Sequence, residues 1–348
     1  MSLSSRTERY LISAGVSAVA LAAAGLAYQY FGSRRDKRRF PPPGRLFAVN
    51  NGRLHLREQG TGSPAVILEA GIAGSSIGWA LVQPRIAEFT RVCSYDRAGL
   101  AWSDPSAKSV CVDQMVSDLG ALLAVAQVPP PYVLVGHSFG GLLARAYAHM
   151  NPDKIAGLVL VDPVPLTFWA ECSQAERTRL RIGASLSRRG ATLARFGVVR
   201  LALAAFLHGG RKFPKAISRA SAAKASKTLE RLAGEIGKLP PETWPCIAAH
   251  WSTPKCLAAM AGCLESLPDC ARAAIAMPVP SNIPLTVISA ANAEPSEMRE
   301  RDECVRQSET GTHIRAANAG HWIQLEEPEL VIDAVRRLVC ALREKTRV

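Results

Sequence analysis

The stretch VLVGHSFGG, residues 133–141, indicates the fold of this 348-residue chain more strongly than any other. An apolar run rich in β-branched residues leads into G-x-S-x-G, with Gly136, Ser138 and Gly140 at its fixed positions. This order is typical of a buried strand, a sharp turn and a helix, which leave the serine hydroxyl exposed. Glycine is needed beside the serine because a Cβ there would collide with the neighbouring strand and helix. The segment that follows, LLARAYAHMNPDKI, predicts the helix and its end near Pro152.

Other stretches accompany this motif in a fixed order. VILEAGIAGSSIGW and RVCSYDRAGLAWSD precede it, and GLVLVDP, IPLTVISA and NAGHWIQLEEPELV follow it. Together with GHSFGG they resemble the α/β-hydrolase superfamily over about residues 45–340, in the branch with a Tyr-Asp-Arg-Ala-Gly motif before the nucleophile. The resemblance implies an α/β-hydrolase fold, in which a mostly parallel twisted sheet is flanked by helices.

The formal net charge of +13 is typical of proteins that bind nucleic acid or an anionic membrane surface. We expect no nucleic-acid partner, because the sequence has no zinc finger, aromatic-studded basic strand or basic leucine zipper. The cations concentrate instead in residues 34–39 and 177–238. We also expect no metal or cofactor, since the nine cysteines include no pair at metal-ligand spacing and no C-x-x-C.

Residues 10–31 contain no charged side chain and would span roughly 33 Å as a helix, enough to cross a bilayer core. Aromatic residues stand at both ends, and a basic cluster and three prolines follow. The segment therefore predicts a single-pass transmembrane helix with the catalytic domain on the cytoplasmic side. Two alternatives stay open: a cleaved signal peptide that exports the protein, with small residues at Gly25 and Ala27, and a soluble alanine-rich helix.

The chain divides into an anchor with its basic flank (1–40), a core (41–162 and 283–348) and an insertion (163–282). Strand–helix alternation stops in the insertion, and the resemblance implies that it forms a helical cap over the active site. The basic residues of the insertion either form a solvated helical surface or contact anionic lipid headgroups near the anchor. We expect a chain that starts near Pro41 to be soluble and active.

The serine hydroxyl needs a base, and the base needs an orienting group. His321 is the predicted base, because it lies in NAGHW, where the family's loop after the last strand presents its histidine. His137, next to the nucleophile, is expected to shape the turn. The predicted nucleophile and base are therefore Ser138 and His321.

The acid departs from the family's usual pattern. Most members place it after the penultimate strand in Gly-x-x-Asp, but this segment reads SAANAEP, with Ala293 at the expected position and Glu294 beside it. Asp162 ends the earlier strand GLVLVD, and some branches, certain haloalkane dehalogenases among them, take their acid from that strand. We predict that Asp162 is the acid, with Glu294 as the alternative and a loop-tethering role for Asp162 also open.

The oxyanion donors are predicted to be the backbone N–H groups of Phe139 and Ile72. Glu69 stands where many relatives carry histidine. Residues 95–97 are expected to hold the neighbouring loop in place. Serine at position 138 excludes dehalogenase and epoxide-hydrolase chemistry, which needs a carboxylate nucleophile. The leading prediction is a membrane-anchored serine hydrolase that cleaves small-molecule esters through an acyl-enzyme. Lactone, amide or peptide, or acyl-transfer chemistry stays open, as does a non-catalytic binding protein.

Overall fold

The computed structural model describes residues 3–50, 52–106, 110–208 and 237–347. Eight strands form one sheet in the order β1-β2-β4-β3-β5-β6-β7-β8. The first two strands are antiparallel, and every pairing from β4 to β8 is parallel, which confirms the predicted mostly parallel sheet. The strands are β1 Arg45–Val49, β2 Gly52–Gln59, β3 Ala65–Glu69, β4 Val92–Tyr95, β5 Tyr132–His137, β6 Ile155–Val161, β7 Leu285–Ser289 and β8 Gly311–Arg315.

Helices cover both faces of this sheet and also form the insertion and the N-terminal segment. They are α1 Leu3–Arg39, α2 Gln83–Ile86, α3 Val112–Val125, α4 Phe139–Met150, α5 Leu166–Ala170, α6 Gln174–Arg195, α7 Val198–His208, α8 Trp244–Trp251, α9 Pro254–Ile275, α10 Pro295–Arg306, α11 Ile323–Glu326 and α12 Pro328–Arg347. The central strands β3, β5 and β6 are apolar and buried almost throughout, as expected for strands covered on both faces. On one face, Val331, Val335 and Val339 of α12 recur every four residues and pack against the sheet.

The insertion between β6 and β7 is helical in its described part. Helices α5 to α9 belong to it, and α9 packs along α5 and α6 and also reaches α4. Residues 209–236 of the predicted cap, and with them part of the basic stretch 177–238, lie outside the described residues. Through α9, the cap is in packing contact with α4, the helix that follows the central strand β5.

Helix α1 has two parts with different surroundings. Its N-terminal part is exposed, and Tyr10–Arg39 is long and apolar enough to cross a membrane. Its C-terminal part packs against the cap: Gly25 lies against the backbone of Phe196, where an added Cβ would come within 2.5 Å of the carbonyl oxygen. The buried Gln29 side chain donates a 3.0 Å hydrogen bond to the carbonyl of Ser252, at the end of α8. Contacts therefore cross the predicted boundary at residue 40.

Arg200 of α7 joins this part of α1 to the cap. The guanidinium is buried, with Nε donating to Gln29 at 3.0 Å and Nη2 donating to Ser33 at 3.1 Å. Nη1 forms an ion pair with Asp36. A chain that starts near Pro41 would lack the three α1 partners of Arg200, and its expected solubility and activity stay a prediction.

We predict that Asp36→Ala lowers the free energy of unfolding of the full-length protein by about 2 kcal/mol, because the Arg200 charge stays buried without its counter-ion. Denaturant unfolding in detergent measures the effect. Asp153→Ala, which removes an exposed carboxylate outside α1 and the cap, is the control and should change stability by less than about 0.5 kcal/mol. Equal effects of the two substitutions would show that the contact does not stabilise the protein.

Candidate active site

Ser138 lies in the turn between β5 and α4, with φ +53° and ψ −118°. A side-chain-bearing residue rarely adopts this conformation, and such backbone strain is concentrated at functional sites. The turn is possible because two glycines allow close backbone approach. A Cβ on Gly136 would lie 2.4 Å from the Gly140 oxygen, and one on Gly140 would lie 2.3 Å from the Glu69 oxygen. The sequence pattern and the local geometry therefore agree at this turn.

The structure brings the three predicted residues of the triad together. His321, in the loop between β8 and α11, has Nε2 3.0 Å from Ser138 Oγ. Its Nδ1 lies 2.6 Å from Asp162 Oδ2. Both distances are within hydrogen-bond reach, so His321 is placed to accept the serine proton while the carboxylate holds the other ring nitrogen.

Asp162 follows β6 directly and has a positive φ of 42°, a conformation that aspartate tolerates better than most residues. Its Oδ1 accepts a 3.0 Å hydrogen bond from the N–H of Ala290, just beyond the neighbouring strand β7. Glu294 is placed differently. It is exposed at the start of α10, where its carboxylate accepts from the backbone of Glu297 in a capping box. The geometry therefore favours Asp162 over Glu294 as the partner of His321.

Arg301 of α10 is the main contact of the acid that the sequence analysis missed. It is 4% exposed, and its Nη1 lies 2.7 Å from Asp162 Oδ1. Its Nη2 donates to the Pro163 carbonyl at 2.9 Å. Burial alone would raise the pKa of Asp162, but the hydrogen bond to His321 and the Arg301 charge together hold it below its usual range. The carboxylate is therefore ionised at neutral pH.

The predicted oxyanion loop is held from behind by a buried polar group. The Arg97 guanidinium donates to the carbonyl of Ala70 at 2.6 Å and to the carbonyl of Gly71. Glu69 pairs with Arg97 and accepts from the Tyr95 hydroxyl. The Gly71 carbonyl and the Ile72 N–H belong to one planar trans peptide, so they point in opposite directions. Fixing the carbonyl on Arg97 therefore directs the Ile72 N–H away from it.

His137 is buried beside the triad without competing for the serine proton. Its Nε2 lies 2.8 Å from the backbone oxygen of His321, and its ring packs against the rings of His321 and Trp322. Burial lowers the pKa of His137 to about 3, so the imidazole is neutral and donates to that oxygen. This placement fits the predicted role in shaping the turn.

A cavity of about 50 Å³ lies over Ser138 and His321. Both predicted oxyanion residues, Ile72 and Phe139, line it. The remaining wall is apolar and comes largely from the cap, through Trp169 of α5 and Leu264 and Leu267 of α9. The site thus combines a hydrogen-bonded serine, the two residues predicted to supply the oxyanion donors, and a small apolar pocket.

A family model described as alpha/beta hydrolase fold matches residues 64–328. This chain belongs to the α/β-hydrolase family. The α/β-hydrolase is 32% identical over 120 residues to the uncharacterized protein YqjL of Bacillus subtilis, which covers 34% of this chain and 47% of YqjL. It is 37% identical over 111 residues to lipase LipV of Mycobacterium tuberculosis, covering 32% and 41% of the two chains.

The chain thus spans less than half the length of these curated relatives. Among solved structures, an esterase from Thermogutta terrifontis superposes on the α/β-hydrolase with a TM-score of 0.60. Sequence identity to it is 21%, and the match covers 86% of this chain and 98% of the esterase. The esterase therefore supports the fold.

If Asp162 orients His321, Asp162→Asn should lower kcat for ester hydrolysis by ~10⁴, as the equivalent loss does in a known triad. Asparagine also tolerates a positive φ, so the turn should persist. Glu294→Gln is the matched carboxylate-to-amide control and should cost less than tenfold, about 1.4 kcal/mol. Melting curves of both variants check the fold, and an exchange of the two effects would identify Glu294 as the acid.

Proposed function

We propose that this α/β-hydrolase is a membrane-anchored serine hydrolase that cleaves carboxylic esters through an acyl-enzyme intermediate. The observation that carries the proposal is the chain of hydrogen bonds from Ser138 through His321 to Asp162 at the floor of an apolar cavity. The lipase relative supports ester chemistry.

In the first half-reaction, Ser138 Oγ attacks the ester carbonyl carbon while His321 Nε2 takes the hydroxyl proton. The carbonyl oxygen becomes an oxyanion, which accepts hydrogen bonds from the N–H groups of Phe139 and Ile72. Loss of one such donor typically costs ~2.7–4 kcal/mol in the transition state. His321 then gives its proton to the departing alkoxide, and an alcohol and an acylated Ser138 result.

In the second half-reaction, water attacks the acyl carbon while His321 takes its proton. The acid product leaves, and Ser138 regains its proton from His321. Asp162 stays ionised throughout and stabilises the imidazolium, since Arg301 and the Ala290 N–H hold its charge in place. The pocket has apolar side chains beside the serine, which favours an apolar acyl group next to the scissile bond.

Membrane anchoring is supported by the length and hydropathy of α1, whose most apolar window is exposed in the folded chain. The basic residues 34–39 directly after the uncharged segment favour a cytoplasmic catalytic domain. Continuation of the helix past Gly25 into the contact with Phe196 favours an uncleaved anchor over a signal peptide.

Ser138→Ala should abolish both ester turnover and labelling by a serine-directed fluorophosphonate. The free energy of unfolding should change by less than about 1 kcal/mol, since the change removes a single hydroxyl. Ser75→Ala is the control: it also removes one serine hydroxyl, in the loop after β3, and this hydroxyl makes no helix-capping hydrogen bond. The variant should keep both ester turnover and labelling. An unlabelled but folded native protein would favour the non-catalytic binding alternative, and native activity in Ser138→Ala would refute the assigned nucleophile.

Deletion of residues 1–22 should release the protein from membranes on alkaline extraction, whereas the full-length chain should stay in the membrane pellet. This deletion keeps Gly25, Gln29, Ser33 and Asp36, so the contacts of α1 with the cap are retained. Cell fractionation and the N-terminal mass of the mature chain provide the measurement. A shortened mature protein in an extracytoplasmic fraction would establish the signal-peptide alternative.

A further inference from the structure

The cap exposes large apolar side chains at the junction of α6 and α7. This junction, called here the cap corner, consists of Leu193, Phe196, Val198 and Leu201. Between 37% and 63% of each residue is accessible to water. Apolar residues that are exposed singly are normal on a protein surface, whereas a cluster of them indicates an interaction surface.

The position of the cap corner along α1 indicates what covers it. The Phe196 backbone lies against Gly25, and Gly197 lies against the Tyr28 ring. Both α1 residues belong to the uncharged segment 10–31. At ~1.5 Å per residue, Gly25 lies about 9 Å before the end of that segment at Phe31. The cap corner is therefore level with the last two turns of the candidate span.

Cations surround this level on both elements. Arg189 and Arg195, in the last turns of α6, form no ion pair with any residue that the structure describes. On α1, one exposed face carries Phe31, Arg34, Arg35, Arg38 and Arg39 at helical spacing. Arginine close to an anionic membrane surface strengthens binding to that surface. The charge pattern thus complements anionic lipid headgroups.

We infer that the cap corner is a second membrane contact, which inserts into the headgroup–acyl boundary of an anionic bilayer beside α1. The inferred depth of about 9 Å falls within the ~5–10 Å to which interfacial helices bury their apolar faces. The contact rests on the proposed anchoring by α1, because that helix sets the depth. Because α9 packs along α6 and lines the active-site cavity, this contact would place the cap and its apolar pocket next to the bilayer.

A depth-dependent quencher tests this contact on the full-length protein. The exposed thiols Cys111 and Cys340 are replaced by serine, and Val198→Cys is added to carry a nitrobenzoxadiazole label. The protein is reconstituted in phosphatidylcholine vesicles with about 30 mol% phosphatidylglycerol, with and without a lipid that bears a nitroxide on its acyl chain. The labelled parent without the added cysteine gives the background to subtract.

Val125→Cys is the matched control, because it makes the same substitution at a similarly exposed valine. Val125 is the last residue of α3, shortly before β5 begins at Tyr132, so it lies near the amino-terminal ends of the parallel strands. The cap follows the carboxyl end of β6. We expect quenching at position 198 to be about threefold greater than at position 125, and to fall when Arg189→Gln and Arg195→Gln are combined. Leu193→Cys replaces the first variant if Val198→Cys does not fold.

The outcomes separate this contact from the anchoring on which it rests. If the full-length protein does not float with vesicles, both the anchoring and the cap contact are wrong. If it floats and the label at position 198 is quenched no more than the label at position 125, α1 anchors the protein and the cap corner does not touch the bilayer. Concentration-dependent protection of position 198 in detergent, without lipid quenching, would assign the corner to a second copy of the chain and overturn the inference.

Discussion

The buried carboxylate of Asp162 connects the elements that form the active site. It lies between the ends of β6 and β7, where it accepts from the N–H of Ala290, pairs with Arg301 and holds His321. An ionised carboxylate is costly to bury unless hydrogen bonds and an opposite charge surround it. Here those partners come from a strand end, from α10 and from the catalytic loop. The same set of contacts that makes burial of the charge tolerable therefore also fixes the orientation of the imidazole.

The position of Asp162 shows how the proposed triad can take its acid from another strand of the same sheet. The usual site after β7 is occupied by Ala293, and the next residue, Glu294, caps α10. Strands β6 and β7 are parallel neighbours, so their carboxyl ends lie side by side. An acid at either end reaches a similar point in space, which is why Asp162 can contact His321 from the earlier strand.

Sequence reasoning was effective where chemistry is encoded locally. The strand, turn and helix around Ser138 follow from a few adjacent residues, whereas His321 and Asp162 were predicted from the resemblance to the family. Arg301 and Arg97 could not be predicted, because neither stands in a pattern that states which distant carbonyl or carboxylate it meets. The packing of α1 on the cap was missed for the same reason: hydropathy identified the apolar segment, while the contact with Arg200 joins residues more than 160 positions apart.

These long-range contacts connect the C-terminal part of α1 to the candidate active site through packed elements. Arg200 links α1 to α7, which packs against the preceding helix α6. Helix α9 packs along α6 and lines the cavity over Ser138. The apolar pocket and the C-terminal part of α1 thus belong to one packed unit.

The central claim is that Ser138 becomes acylated, and mass spectrometry of the full-length protein quenched in acid during turnover of a p-nitrophenyl ester tests it most directly. The account predicts an added mass equal to the acyl group on the peptide that contains Ser138, and its disappearance once substrate is exhausted. Turnover of the ester without any adduct under rapid quench, or with an adduct on another residue, would contradict the account.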